Sequence, residues 1–197
     1  MTSATKTPGS NAQRERRRRI LDATIALASE GGFDAVQMRE VADNADVALG
    51  TLYRYFPSKI HLLVTALDRQ FERAEAMSRS KQIPGDTPHE RVMAILGTTT
   101  TALQRQPQLT EALTRAFMFA DATVADEIHA VGMRLTSMIT HAIDGTDETR
   151  EPTAEDEAIV RVIGDVWLSG LMGWVTGRTT AADVTKSVDV AVRLLLR

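Results

Sequence analysis

The chain has 197 residues, 43% hydrophobic and 25% charged, with a formal net charge of −3, enough apolar material for a sizeable core in one unit or in a small domain followed by a larger one. It contains no cysteine, which excludes disulfides, thiolate zinc sites and thiol redox sensing. No apolar run approaches the ~18 residues of a bilayer span and the N-terminus is polar, so the expected setting is the cytoplasm.

Residues 1–11 are Ser-, Thr-, Pro- and Gly-bearing without periodicity and are expected to be disordered. Around them lies a basic arm: Lys6, Arg14, Arg16, Arg17, Arg18 and Arg19 are opposed only by Glu15 in the first twenty residues. Residues 1–60 hold 9 Lys and Arg against 7 Asp and Glu, leaving 14 against 19 for residues 61–197. Because phosphate attraction is screened over about 10 Å, where the charge sits outweighs the acidic total. A solvated tail is the bland reading of the arm; phosphate contact is the functional one.

A first helix is predicted from near Asn11, with an apolar stripe of Ile20, Leu21, Thr24, Leu27 and Ala28, stopped by Gly31-Gly32. Phe33 and Val36 should plug a small domain. The second helix begins around Gln37 and buries Val41, Ala42 and Ala45. Asp46 then sits where the chain must turn, and Val47 and Leu52 clamp a third helix, roughly Leu49 to Phe56, across the second. This is a helix-turn-helix. Its third helix turns Leu52 and Phe56 inward and exposes Thr51, Tyr53, Arg54 and Tyr55, donors able to reach phosphates and base edges. Lys59 follows beside Ser58, the N-cap of a long helix reaching about Lys81 through Leu62, Leu63, Ala66, Leu67 and Phe71. Arg39, near the start of the second helix, is a further phosphate candidate, with a solvated surface charge as its bland alternative.

Ile83-Pro84-Gly85-Asp86 breaks the pattern, and Thr87-Pro88-His89-Glu90 opens a helix with an N-cap, a proline and a capping-box glutamate. That helix ends near Arg105, and Pro107 opens a shorter one through Leu109, Leu113 and Phe117. Further helices are predicted from about Thr123 to Ile143, closed by Asp144-Gly145, from Thr153 to Thr176, closed by Gly177, and from Thr180 to near Leu196. The acidic run Asp147 to Glu157 reads as a solvated loop and helix start. Nothing reads as a strand. The fold class is therefore all-α, a three-helix head at 1–60 and a larger helical domain at 61–197. The last two long helices are apolar on more than one side, with Ile159, Ile163, Val166, Trp167, Leu171 and Trp174 on one stripe and Val160, Leu168, Met172 and Val175 on another. Val184, Val188, Val192 and Leu195 match them on the final helix, and Gly164, Gly170 and Gly173 permit close approach. A two-fold homodimer through a four-helix bundle is expected, against a buried monomeric core.

The block GTLYRYFPSK resembles the signature of TetR-family regulators, and the resemblance extends upstream through ILDATIALASEGGFDAVQMREVA, covering roughly Arg17 to Leu63. Within the family the DNA-binding segment is similar to the KstR group, repressors of sterol catabolism genes. The resemblance implies a base-facing role for Leu49, Gly50, Tyr53 and Arg54 and a phosphate-facing role for Thr51, Tyr55 and Lys59. It implies a ligand-responsive repressor on a palindromic operator, with an effector pocket between the long linker helix and the helices after it; Met93, Leu96, Phe117, Met133 and Trp167 are the candidates to line it. The KstR-like wording implies a sterol-derived effector, a side-chain coenzyme A thioester, with Arg91, Arg105, Arg115 and Arg134 as the candidates to meet its phosphates and a solvated surface charge as the bland reading of each. A regulator of another pathway, such as efflux, answering a different apolar molecule is the alternative. The chain departs from the pattern at Asp46, where glycine is common, at Ala48, where a serine cap is frequent, and at Gln37, where threonine is. Aspartate tolerates a left-handed turn; losing the caps costs stability, typically about 1 kcal/mol for a serine.

Other classes have little to stand on. His61, His89, His129 and His141 lack metal-ligand spacing, and there is no phosphate loop or activated nucleophile. No catalytic residue, metal or cofactor is expected, and neither is a membrane partner. A DNA-packaging protein remains a rival, separated by its lack of sequence preference.

Overall fold

A computed structural model describes residues 8–80, 82–146 and 150–196; Lys6, Lys81 and the start of the acidic run at 147–149 lie outside them. The described residues form helices and no strand, in the order α1 (Pro8–Ala35), α2 (Met38–Asn44), α3 (Leu49–Tyr55), α4 (Lys59–Arg79), α5 (Pro88–Gln104), α6 (Pro107–Met118), a 3-10 turn (Ala122–Val124), α7 (Ala125–Asp144), α8 (Ala154–Val175) and α9 (Ala181–Leu195). The all-α expectation holds.

Local chemistry sets most of these boundaries. The α1 helix starts at Pro8, inside the stretch expected to be disordered, because proline's fixed φ and missing N–H suit a first helical position. Gly31 and Gly32 leave helical geometry, the latter at φ 68. Ser58 accepts from the His61 amide at 3.1 Å to open α4, and Thr87, Thr153 and Thr180 form reciprocal capping boxes with Glu90, Asp156 and Asp183, each cap contributing about 1 kcal/mol. Gly145 closes α7 in the left-handed region. Arg91 completes that end from α5, donating from Nε to Ala142 O at 2.7 Å and from Nη2 to Ile143 O at 2.9 Å, so its cation meets the carbonyls that α7 leaves unpaired.

Two apolar cores result. The first joins Ile20, Leu21, Ala28, Val36, Val41, Leu52 and Phe56 to the first half of α4 and to Leu109, Ala112, Leu113 and Ala116 of α6, so the packing of the head runs on without a seam into the larger domain. The second gathers Val92, Leu96, Met138, Ile139, Val160, Ile163, Trp167, Leu171, Val184, Val188 and Val192. Phe71 of α4 touches both.

Contrary to the expectation from apolar runs, α8 is long and apolar enough by composition to cross a membrane, with a mean hydropathy of 1.4. The cause is its two apolar sides, one of which, Val160, Ile163, Trp167 and Leu171, is buried in the second core. Its glycines serve the chain's own packing: a Cβ at Gly170 would meet Val184 Cγ1 at 3.2 Å, at Gly164 Leu135 Cδ2 at 3.2 Å, and at Gly173 Thr179 Oγ1 at 2.7 Å.

Candidate nucleic-acid interface and ligand cavities

The turn between α2 and α3 is made by Asp46 at φ 51, a left-handed conformation that no other non-glycine described residue adopts. Neither Gln37 nor Ala48 caps its helix with a side chain. What fixes α3 is therefore burial: Leu52 and Phe56 are fully buried, and Val47, Leu49 and Tyr55 pack on the same core. The opposite side of α3 carries Gly50, Tyr53 and Arg54 into solvent, with Tyr53 47% exposed. Arg54 has no hydrogen-bond or ion-pair partner among the described residues, and a Cβ on Gly50 would meet nothing within 4 Å. Thr51 is half-buried and Arg39 is exposed on the first turn of α2. The basic residues of α1 flank this surface: Arg19 reaches Asp46 at 3.4 Å, and the Arg17 guanidinium lies 5.6 Å from the Phe56 ring centroid.

Lys59 sits differently from the others. Its Nζ is 4.0 Å from the centroid of Phe33, half-buried, and burial holds the ammonium below the usual lysine range. The Arg115 guanidinium approaches the same ring at 4.4 Å.

Two adjoining cavities open in the larger domain. The first, of 460 Å³, runs between α4, α6, α7 and α8, and Phe117, Met133 and Trp167 are in its lining. The second, of 590 Å³, lies between α4, α5 and α6 and reaches the turn at Ile83 and Pro84. Both fall in the roughly 300–1,000 Å³ span of small-molecule sites. Leu67, Phe71, Leu103, Thr110 and Leu113 belong to both walls. Of the five sequence candidates, Met93 and Leu96 line neither, because both turn into the second core. Periodicity marks a residue as inward without saying whether packing or space lies beyond it. The cavities are also lined by Thr110, Thr114, Gly132 and Thr136, which sequence reading missed; the signal was threonine one turn apart on the apolar face of an amphipathic helix.

Three of the four arginines considered for the effector's phosphates have other partners. Arg91 caps α7; Arg115 pairs with Asp34 at 3.4 Å and Glu111 at 3.5 Å; Arg134 binds Asp68 at 2.5 Å and Glu75 at 3.3 Å. Arg105 is exposed and lines neither cavity. Arg161 belongs to the first cavity and Arg73 to the second. No group of three or more metal-ligating side chains occurs among the described residues.

Residues 20–66 match the family of bacterial regulatory proteins of the tetR type, and residues 85–195 match the tetracyclin repressor-like C-terminal domain. The chain is 57% identical over 189 residues to the HTH-type transcriptional repressor KstR of Mycolicibacterium smegmatis, covering 95% of this chain and 90% of that protein. A TetR transcriptional regulator from Rhodococcus sp. RHA1 superposes with a TM-score of 0.85 at 32% identity, over 94% of this chain and 97% of that one. Thermus thermophilus FadR, crystallised with lauroyl-CoA, shares the fold at a TM-score of 0.70 and 20% identity, over 91% and 93% of the two chains. These relatives are regulators of transcription, not enzymes. The chain, with its helix-turn-helix head and helical C-terminal domain, belongs to the TetR family of bacterial regulatory proteins.

Proposed function

We propose that the protein is a cytoplasmic repressor that binds a palindromic operator as a homodimer and leaves it when an apolar small molecule enters the α4–α8 cavity. The observation that carries the DNA-reading role is the outer side of α3. Gly50, Tyr53 and Arg54 are presented there, and among the described residues nothing uses the Arg54 guanidinium or the space around Gly50. Such a surface fits a major groove, with Arg54 taking a guanine edge and Thr51, Tyr55, Lys59 and Arg39 on phosphates. The base-facing role of Leu49 is its weakest part, since the side chain packs on the head's core.

Dimerisation is supported by apolar side chains left outside on the last two helices: Val162, Val190 and Leu194 are 45%, 48% and 57% exposed. Pairing α8 and α9 with their two-fold copies would cover them. The reading helices would then have to lie about 34–36 Å apart to enter successive major grooves. An occupied cavity that tilts α4 would spoil that spacing.

The likeness to KstR supports control of sterol or lipid catabolism, with a sterol-derived coenzyme A thioester as effector. The cavity suits its apolar part, and Arg161 replaces the four arginines named from sequence as the cation in that cavity's lining. The alternative, a regulator of another pathway such as efflux, would take a different apolar molecule into the same space. The test is a fluorescence-anisotropy titration of operator DNA with and without a steroid-side-chain coenzyme A thioester. Reciprocal coupling of about 5–150-fold is expected, and unchanged affinity at saturation rejects that effector.

A further inference from the structure

The amphipathic α6 helix has two duties. One face, through Thr110, Leu113, Thr114 and Phe117, walls the first cavity, and Thr110 and Leu113 wall the second as well. Another face grips the corner between α1 and α2. There Glu111 Oε2 accepts the backbone N–H of Phe33 at 2.8 Å, while Arg115 pairs with Asp34 and lies over the Phe33 ring. Lys59, at the start of α4, shares that ring. The corner is shaped for this grip. Gly32 is left-handed at φ +68, and a Cβ there would stand 2.7 Å from Glu111 Oε2 and 3.0 Å from Gln108 Oε1, so only glycine admits the α6 side chains to the backbone.

We propose that Glu111 and Arg115 are the positioning residues that transmit a displacement of α6 to the DNA-reading head, an inference that rests on the ligand-released repressor reading above. A guest that pushes on Thr114 or Leu113 moves the helix carrying both grips. The Phe33 amide, Asp34 and the Lys59 ammonium then follow, and α2, α3 and α4 are displaced together. Packed elements respond to such a push by moving as bodies, because dense interiors do not deform continuously.

The test needs no knowledge of the effector. Thr114→Phe adds bulk on the cavity face of α6, and its effect on operator affinity is measured in three backgrounds: wild type, Glu111→Ala with Arg115→Ala, and Glu111→Gln, which keeps an acceptor for the Phe33 amide. The expected result is a loss of about tenfold in wild type and in the glutamine background, and little or no loss where both grips are gone, a double-mutant cycle with strong coupling. Should Thr114→Phe fail to fold, as judged by circular dichroism, Gly132→Phe fills the same cavity from α7, where an added Cβ meets nothing within 4 Å. Equal losses in all three backgrounds overturn the proposal, and so does an operator affinity indifferent to both filling substitutions. The steroid-side-chain coenzyme A thioester added to the wild type separates the two readings. If it leaves operator affinity unchanged while the filling substitution weakens it, the choice of effector fails and the transmission stands.

Discussion

The indole N–H of Trp167 on α8 donates to the hydroxyl of Thr100 on α5 at 2.9 Å, with both residues buried. This bond crosses the second core, and the Phe71 ring forms a T-shaped pair with the same indole at a centroid distance of 6.2 Å. A wall of the first cavity is thereby held by one polar contact inside an apolar surround. Removing the hydroxyl strands the indole N–H, so Thr100→Val is expected to lower unfolding free energy by about 1–3 kcal/mol despite its matched shape. Urea denaturation measures it; a value within error of wild type removes the bond from the account.

Asp156 gives the larger domain an acid-sensitive joint. The Arg150 guanidinium, at 2.6 and 3.0 Å, and then the Thr153 hydroxyl and amide hold its carboxyl well below the usual carboxylate range, against the cost of burial. With the folded value the lower one, the stabilisation is present above the unfolded value of about 3.9 and is lost as pH falls below it towards the folded value. Asp156→Asn should therefore depress the melting temperature at neutral pH, and the gap from wild type should narrow below about pH 4. A pH-independent gap would mean that the carboxylate's charge contributes nothing.

Gly50 separates the needs of folding from those of binding. Its space is open and its φ is not left-handed, so Gly50→Ala should stabilise the free protein by about 0.5–1 kcal/mol. The same methyl stands on the surface offered to DNA and should weaken operator binding. Thermal melts and anisotropy titrations on one preparation check both signs, and improved stability with unchanged operator affinity would place DNA away from this face.

Arg54→Ala tests base reading against simple attraction. Loss of a bidentate guanine contact should cost about 1–3 kcal/mol at one operator position and relax preference there. Uniform weakening across single-base operator variants, with a shallower salt dependence, would reassign Arg54 to phosphate.

Much of the architecture was legible because it is written locally. Thr87 with Glu90, Thr153, Thr180, Ser58 and Gly145 are cap residues whose chemistry acts within one turn. Asp46 announced a turn that needs a left-handed residue. Contacts between distant segments were not legible. Nothing near Arg91 in the chain predicts that it closes α7 some fifty residues on, and nothing near Phe33 predicts Glu111. Lys59 illustrates the same limit: its place beside Ser58 suggested a phosphate grip, but Phe33 takes up its ammonium in the free protein. Met93 and Leu96 were inward as their spacing implied, yet an inward face borders core in one place and cavity in another.

The most direct measurement is an unbiased selection of the purified, effector-free protein against a random duplex DNA library. The account predicts enrichment of an inverted repeat whose half-sites lie about one helical turn apart, bound at least roughly a thousandfold more tightly than random DNA. A library that emerges with no enriched sequence would contradict it.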